Sequence, residues 1–270
     1  MRILALIFLL TCARAEPPKI GPAAGALVVH GGGRLDRETI DELVKLAGGP
    51  DALFVIIPTA DEGDPSASAL ADQSFLRRAG VKNITILHTR DREIANSAAF
   101  CEPLTKARGV WLGGGRQWRL ADAFLGTRVV TELHALLGRG GVIAGSSAGA
   151  TIQGSYMVRG APEGNHIMMA KGHEEGFGFL KNTAIDQHVI ARKREEDLLP
   201  VIGAHPALLG LGLDEGTAII VQGDRARVVG ASKLAVYDSA FTPGPDGKRY
   251  FFLSPGEVLD LATRRKAKPR

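Results

Sequence analysis

Cysteine is scarce in this 270-residue chain: Cys12 and Cys101 are the only two. Cys12 lies in an N-terminal stretch that reads as removable, and the single cysteine left cannot form an internal disulfide. The folded part has to rely on its core, and a chain of this length can bury a sizeable one. Cys101 has no flanking glycines that would build a nucleophile elbow, so it reads as a bystander. Long apolar runs are lacking too. The run at residues 3–10 is too short to anchor stably in a bilayer. Metal-ligand spacing is missing among the seven histidines, and the adjacent acids Asp214 and Glu215 do not make a metal site, so no metal or cofactor is expected. Repeats and low-complexity segments are absent. Basic charge is lacking in the body of the chain. The formal net charge is +4, but Arg2 and Arg14 lie in the removable stretch, and Arg264, Arg265, Lys266, Lys268 and Arg270 crowd the last seven residues. What remains is slightly acidic, which argues against a nucleic-acid surface. The basic end reads as a solvated terminus.

What is present starts with a targeting pattern. A basic start, the apolar run and Ala13-Arg14-Ala15 together read as a secretory signal cleaved after Ala15, which implies a secreted or periplasmic protein. Thr11 before Cys12 is a poor match for a lipoprotein site. Residues 16–24 are rich in Pro and Ala and read as a leader. Residues 25–260 read as one domain, and 261–270 as the basic tail.

Within 25–260, apolar runs at 26–30, 53–57, 84–87, 109–112 and 141–144 alternate with helical spacing at 35–46, 66–79, 92–100, 117–124 and 129–137. Continuous apolar runs bounded by glycine or proline read as strands buried on both faces. Strand–helix alternation implies an α/β fold, a mostly parallel sheet flanked by helices. Shorter runs at 211–213, 218–221, 227–229 and 233–237 suggest a more antiparallel C-terminal part. The glycine-rich stretch 156–178 has weak periodicity and reads as a loop insertion near the site.

The strand at 141–144 runs into Gly145-Ser146-Ser147-Ala148-Gly149-Ala150. Small residues on both sides of Ser147 permit a sharp strand-to-helix turn that lifts one side chain out of the backbone. Gly145 and Gly149 meet the G-x-S-x-G pattern around Ser147, which marks it as the nucleophile of a serine hydrolase. The amide of Ala148, at the start of the next helix, is placed to donate to a developing oxyanion. The turn Gly113-Gly114-Gly115 follows another strand and suits the second donor.

A serine needs a base, and histidine is the usual one. His30, His88, His134, His166, His173 and His205 compete with His188, which stands in Asp186-Gln187-His188 between two short apolar segments. For the orienting acid, Asp214 and Glu215 at a strand end compete with Glu163, Glu174 and Glu175.

Four landmarks then occur in order: Gly114-Gly115-Arg116-Gln117, the Ser147 elbow, Asp186-Gln187-His188 with Arg192 and Arg194, and Gly212-Leu213-Asp214-Glu215. With these, the chain resembles the cyanophycinase branch of the S51 serine peptidases, which also includes aspartyl dipeptidase (peptidase E), over residues 25 to 240. The resemblance implies a fold like class I glutamine amidotransferases, a flavodoxin-like three-layer sandwich, with serine replacing cysteine. It implies a triad of Ser147, His188 and Glu215, an oxyanion hole at Gly115 and Ala148, and a pocket lined by Gln117, Asp186, Gln187, Arg192 and Arg194. It implies as substrate cyanophycin, a polyaspartate carrying arginines on its β-carboxyls, from which β-aspartyl-arginine dipeptides are released. Small aspartyl or isoaspartyl peptides are the alternative substrate, and a catalytically silent binding protein is the alternative from another class. Homodimers are common in such families. The chain departs from the pattern at Arg116, where the family has aspartate, and at Glu195, Glu196 and Asp197, where it has a further arginine. Arginine at 192 or 194 suits bidentate capture of a carboxylate, and Asp186 suits a cationic group.

Overall fold

The computed structural model describes residues 18–63, 70, 74–244 and 247–268. The expected signal, the start of the leader and most of the first part of the expected helix at 66–79 lie outside the described residues. The N-terminal half alternates strands and helices: β1 (Ala26–His30), α1 (Arg37–Leu46), β2 (Leu53–Ile57), α2 (Phe75–Arg78), β3 (Asn83–Ile86), α3 (Arg92–Asn96), α4 (Ala98–Lys106), β4 (Gly109–Leu112), α5 (Gln117–Phe124), α6 (Arg128–Gly138), β5 (Val142–Ser146) and α7 (Ala148–Thr151). Then come β6 (Gly154–Tyr156), β7 (Leu180–Gln187), α8 (Leu198–Ala204), β8 (Leu209–Leu213), β9 (Thr217–Gln222), β10 (Arg225–Gly230), β11 (Leu234–Tyr237), β12 (Tyr250–Leu253), β13 (Val258–Asp260) and β14 (Arg265–Lys266). The stretch expected as one helix at 92–100 is two. Ser97 is extended (φ −71°, ψ 140°) and its hydroxyl accepts from the Phe100 N–H, so it ends α3 and caps α4.

The main sheet has nine strands in the order β14-β13-β10-β9-β1-β5-β4-β2-β3. From β3 to β1 it is parallel, and from β1 outward it is antiparallel. The C-terminal runs pair antiparallel with one another, β9 with β10 and β8 with β11, while β8 also pairs parallel with β7. A second sheet, β12-β11-β8-β7-β6, was not anticipated. It packs on the same core through Ile185, Leu211 and Val236. Alternation along each strand explains the layers. Leu27, Val29, Val55, Leu112 and Ile143 face Leu104 and Leu133 of α4 and α6. Val28, Phe54, Ile56, Trp111 and Ala144 point the other way, toward Leu43 and Val44 of α1. Among the described residues no helix is long and apolar enough to cross a membrane.

Parallel strands share one C-terminal end, and in open α/β sheets that is where ligands bind. Here it gathers the segments after β1, β2, β4 and β5. The flanks of the domain are also tied down. The Asp224 carboxylate accepts the N–H groups of Lys19, Ile20 and Gly21 at 2.7, 2.8 and 2.9 Å. Burial pushes this carboxyl up, but the donors outweigh it, Gly21 foremost, and hold it below the usual range. The basic end, read from the sequence as solvated, enters the fold: β14 pairs with β13, and Arg264 reaches Asp238 and the Ala207 carbonyl.

Replacing Asp224 with Asn weakens the acceptor for three N–H groups. We expect a loss of about 1–2 kcal/mol in denaturant unfolding, and faster amide exchange confined to residues 19–21. Unchanged exchange there would contradict this account.

Candidate active site

Ser147 sits where β5 meets α7, with φ 54° and ψ −110°. A non-glycine residue there is strained and is held by its surroundings. The two glycines of the pattern are sterically required. A Cβ on Gly145 would lie 2.2 Å from the Gly149 carbonyl oxygen, and one on Gly149 would lie 2.1 Å from that of Leu112. The helix expected after the elbow is a single turn, so its dipole contributes less than a long helix would.

Ser147 Oγ is 2.9 Å from His188 Nε2, and His188 Nδ1 is 2.5 Å from Glu215 Oε1. Serine donates to the imidazole, and the imidazole donates to the carboxylate. His188 follows β7 in a left-handed conformation, φ 57°. Its N–H bonds the Gly31 carbonyl at 3.0 Å, while the Ser147 N–H bonds the His30 carbonyl at 3.0 Å. The glycines after β1 make room for both partners. A Cβ on Gly32 would lie 2.1 Å from His188 Cε1, and one on Gly33 2.9 Å from Glu215 Cβ. Burial lowers the His188 pKa, with help from the Arg192 and Arg194 charges, against the hydrogen bond donated to Glu215, which raises it. The ring is neutral at neutral pH and able to take a proton.

The competing residues have other partners. His30 is fully buried, with Nδ1 2.9 Å from Ser146 Oγ, and burial pushes its pKa down to about 4. His88 contacts Thr59 and His134 the Phe177 carbonyl. Asp214 accepts the N–H groups of Ile190 and Ala191 and the Ser232 hydroxyl, so it fixes the turn after His188 rather than the ring. Glu174 accepts from the Tyr156 hydroxyl.

Of the expected oxyanion donors, Ala148 is buried beside Ser147. Gly115 turns the chain (φ 134°) tightly against Ala60, and it is Gly114 that adjoins the nucleophile: a Cβ there would be 3.7 Å from Ser147 Cβ. The N–H groups of Gly114, Gly115 and Ala148 have no backbone acceptor among the described residues.

The expected pocket residues divide. Gln187 Oε1 and Arg194 Nη1 are buried and have no hydrogen-bond partner. Arg192 is exposed beside His188. Gln117 is turned to the protein, donating to the Val158 and Arg159 carbonyls at 2.8 and 3.0 Å. Asp186, expected to take a cationic group, is fully buried and already holds one: Arg159 Nε and Nη2 lie 2.7 and 2.9 Å from its two oxygens. Arg159 also reaches Asp197 and the Asn165 carbonyl. Arg116 points to the Ala161 carbonyl. Arg159 escaped the sequence reading because it lies alone in the weakly periodic stretch 156–178, and its acids are 27 and 38 residues away. That stretch does lie against the site, as expected, through Gln117 and Asp186.

Two results are expected. Labelling of Ser147 by an organophosphonate, followed across pH, should fall on the acid side with a midpoint below the usual histidine value of about 6.5. A lowered pKa keeps imidazole neutral to lower pH, so the rate survives further down. Replacing Arg192 with Gln removes a charge that disfavours imidazolium and should move the midpoint up. No shift would count against that coupling. Replacing Gly32 with Ala drives a methyl group into the His188 ring and should slow labelling by at least about 100-fold, with melting curves used to confirm a folded chain.

Comparison with known proteins agrees with this geometry. The model of peptidase family S51 matches residues 24–229. A cyanophycinase from Geminocystis herdmanii (strain PCC 6308) is 30% identical over 213 residues, covering 78% of this chain and 76% of that protein. A cyanophycinase from Synechococcus elongatus is 30% identical over 209 residues, covering 75% of this chain and 63% of that protein. The crystal structure of a peptidase from an acI-B1 Actinobacterium superposes with a TM-score of 0.66 at 22% identity, covering 88% of this chain and 97% of that one. That likeness speaks to the fold and agrees with the flavodoxin-like, amidotransferase-like class expected from the sequence. The chain belongs to peptidase family S51 and is a serine-type peptidase.

Proposed function

We propose that this chain is an exported cyanophycinase-like exopeptidase that releases β-aspartyl-arginine from cyanophycin. The observation that carries the reading is the line from Ser147 through His188 to Glu215, in a chain whose curated relatives are cyanophycinases. The product keeps its β-link, so the bond broken is the backbone amide between aspartyl residues. Ser147 Oγ attacks that carbonyl while His188 Nε2 takes its proton and Glu215 steadies the imidazolium. Ala148 and the turn at Gly114 and Gly115 offer N–H groups to the oxyanion. His188 returns the proton to the leaving amine. Water then enters, gives its proton to His188 and frees the product from Ser147. The unpartnered Arg194 Nη1 and Gln187 Oε1 offer a donor to a substrate carboxylate and an acceptor to an N–H group, with Arg192 at the rim.

Three observations favour a second reading, a peptidase of small aspartyl or isoaspartyl peptides. Asp186 is occupied by Arg159, Arg116 stands where the family has aspartate, and Glu195, Glu196 and Asp197 stand where it has a further arginine. The arginyl group of cyanophycin would then lack its expected acid.

Incubation with cyanophycin, read by mass spectrometry, separates the two. β-Aspartyl-arginine should appear with the natural chain and fall by more than about 10³-fold with Ser147→Ala. Cleavage of β-aspartyl dipeptides alone, with no release from the polymer, supports the second reading. Full activity of Ser147→Ala would overturn both.

A further inference from the structure

A cavity of about 350 Å³ opens at the C-terminal end of β2 and β4, walled by Ile56, Pro58, Phe75, Trp111 and Gly114, with Asp61 at its edge. It shares Gly114 with the Ser147 centre, where a Cβ on that glycine would lie 3.7 Å from Ser147 Cβ. The Trp111 and Phe75 rings meet edge to face, centroids 4.7 Å apart, which fixes the aromatic wall. The turn bearing Asp61 is fixed as well. The Asp61 N–H bonds the Pro58 carbonyl at 2.8 Å, the Arg116 N–H bonds the Ala60 carbonyl at 2.9 Å, and Arg90 holds the Asp61 carbonyl oxygen at 2.7 Å. The carboxylate itself accepts only a long bond, 3.3 Å, from the Gly63 N–H, and makes no ion pair with another described residue. Neighbouring Glu62 is paired with Arg119, and Asp186 with Arg159. Among the described residues Asp61 is thus an acid without an ion pair, lining an aromatic and aliphatic cavity that Gly114 joins to the Ser147 centre.

That combination suits a side chain with an apolar stem and a planar cationic head. The stem lies along Ile56 and Pro58, the head stacks on the face of Trp111, and the carboxylate accepts two parallel N–H groups. We propose that this cavity is the subsite for the arginyl group of the substrate, with Asp61 its carboxylate partner. The proposal rests on the β-aspartyl-arginine reading and supplies the acid that Asp186, already occupied, does not.

The test uses the full chain carrying Ser147→Ala, titrated calorimetrically with β-aspartyl-arginine and with β-aspartyl-citrulline, its neutral isostere. The arginyl ligand should bind more tightly. Adding Asp61→Asn should weaken it about 10- to 100-fold, the worth of a charge-assisted hydrogen bond, and leave the citrullyl ligand unchanged. Adding Trp111→Leu should weaken the arginyl ligand by a few fold. Equal loss for both ligands, or none, overturns the subsite. In parallel, Asp61→Asn is made in the chain that keeps Ser147. Cyanophycin cleaved at the natural rate by that variant overturns the subsite and leaves the functional reading standing. Binding of neither ligand, with no cleavage by the natural chain, overturns both.

Discussion

Three consecutive carbonyl groups, at and just after the end of β1, hold Ser147, His188 and the residue after Glu215 in place. His30 offers its oxygen to the Ser147 N–H at 3.0 Å, Gly31 to the His188 N–H at 3.0 Å, and Gly32 to the Gly216 N–H, just after Glu215, at 2.8 Å. Ser147, His188 and Glu215 come from three distant parts of the chain, and one backbone segment, residues 30–32, sets their spacing. That is possible because β1 lies between parallel β5, which delivers the serine, and antiparallel β9, which follows the glutamate. Backbone approach this close excludes side chains. Gly32 and Gly33 leave the volume that the His188 ring and the Glu215 side chain fill, and both adopt a positive φ that other residues resist.

A second constraint is electrostatic. Arg159 is only 2% exposed, and a buried guanidinium persists only when paired and hydrogen-bonded. Asp186, Asp197 and the Asn165 carbonyl meet that demand. The network welds the glycine-rich stretch to β7 directly before His188. It also withdraws Asp186 from the substrate. Arg194, nearby, is left with a buried unpartnered nitrogen, its pKa lowered by burial and by the Arg159 charge. Positive character beside His188 therefore belongs to Arg192 and Arg194.

Much of the centre was legible from residue order because its signals are local. The Ser147 elbow is six adjacent small residues whose compactness the backbone demands, and the buried parallel strands are unbroken apolar runs. Asp186-Gln187-His188 stands out as polar residues between apolar ones, and the family resemblance singled it out. Roles that depend on distant partners were not legible in this way. Asp214 and Glu215 are adjacent acids, yet one anchors a turn and the other faces a histidine, because successive side chains at a strand end point in different directions. The triple glycine after β1 reads as an ordinary turn until the ring that occupies its space comes from residue 188.

By itself, the amino-acid order determined the layered α/β class, the small-residue elbow around Ser147 and the short list of candidate bases and acids, since these follow from periodicity and from chemistry that nearest neighbours express. The tertiary structure decided which acid faces His188, that Asp186 serves Arg159, that the basic end joins the sheet through β14, and that β6, β7, β8, β11 and β12 form a second sheet. The physical reason is common to all four. Each depends on charge or hydrogen-bond partners far apart in sequence, and a pairing of that kind exists only once β1 and its neighbours have brought the segments together.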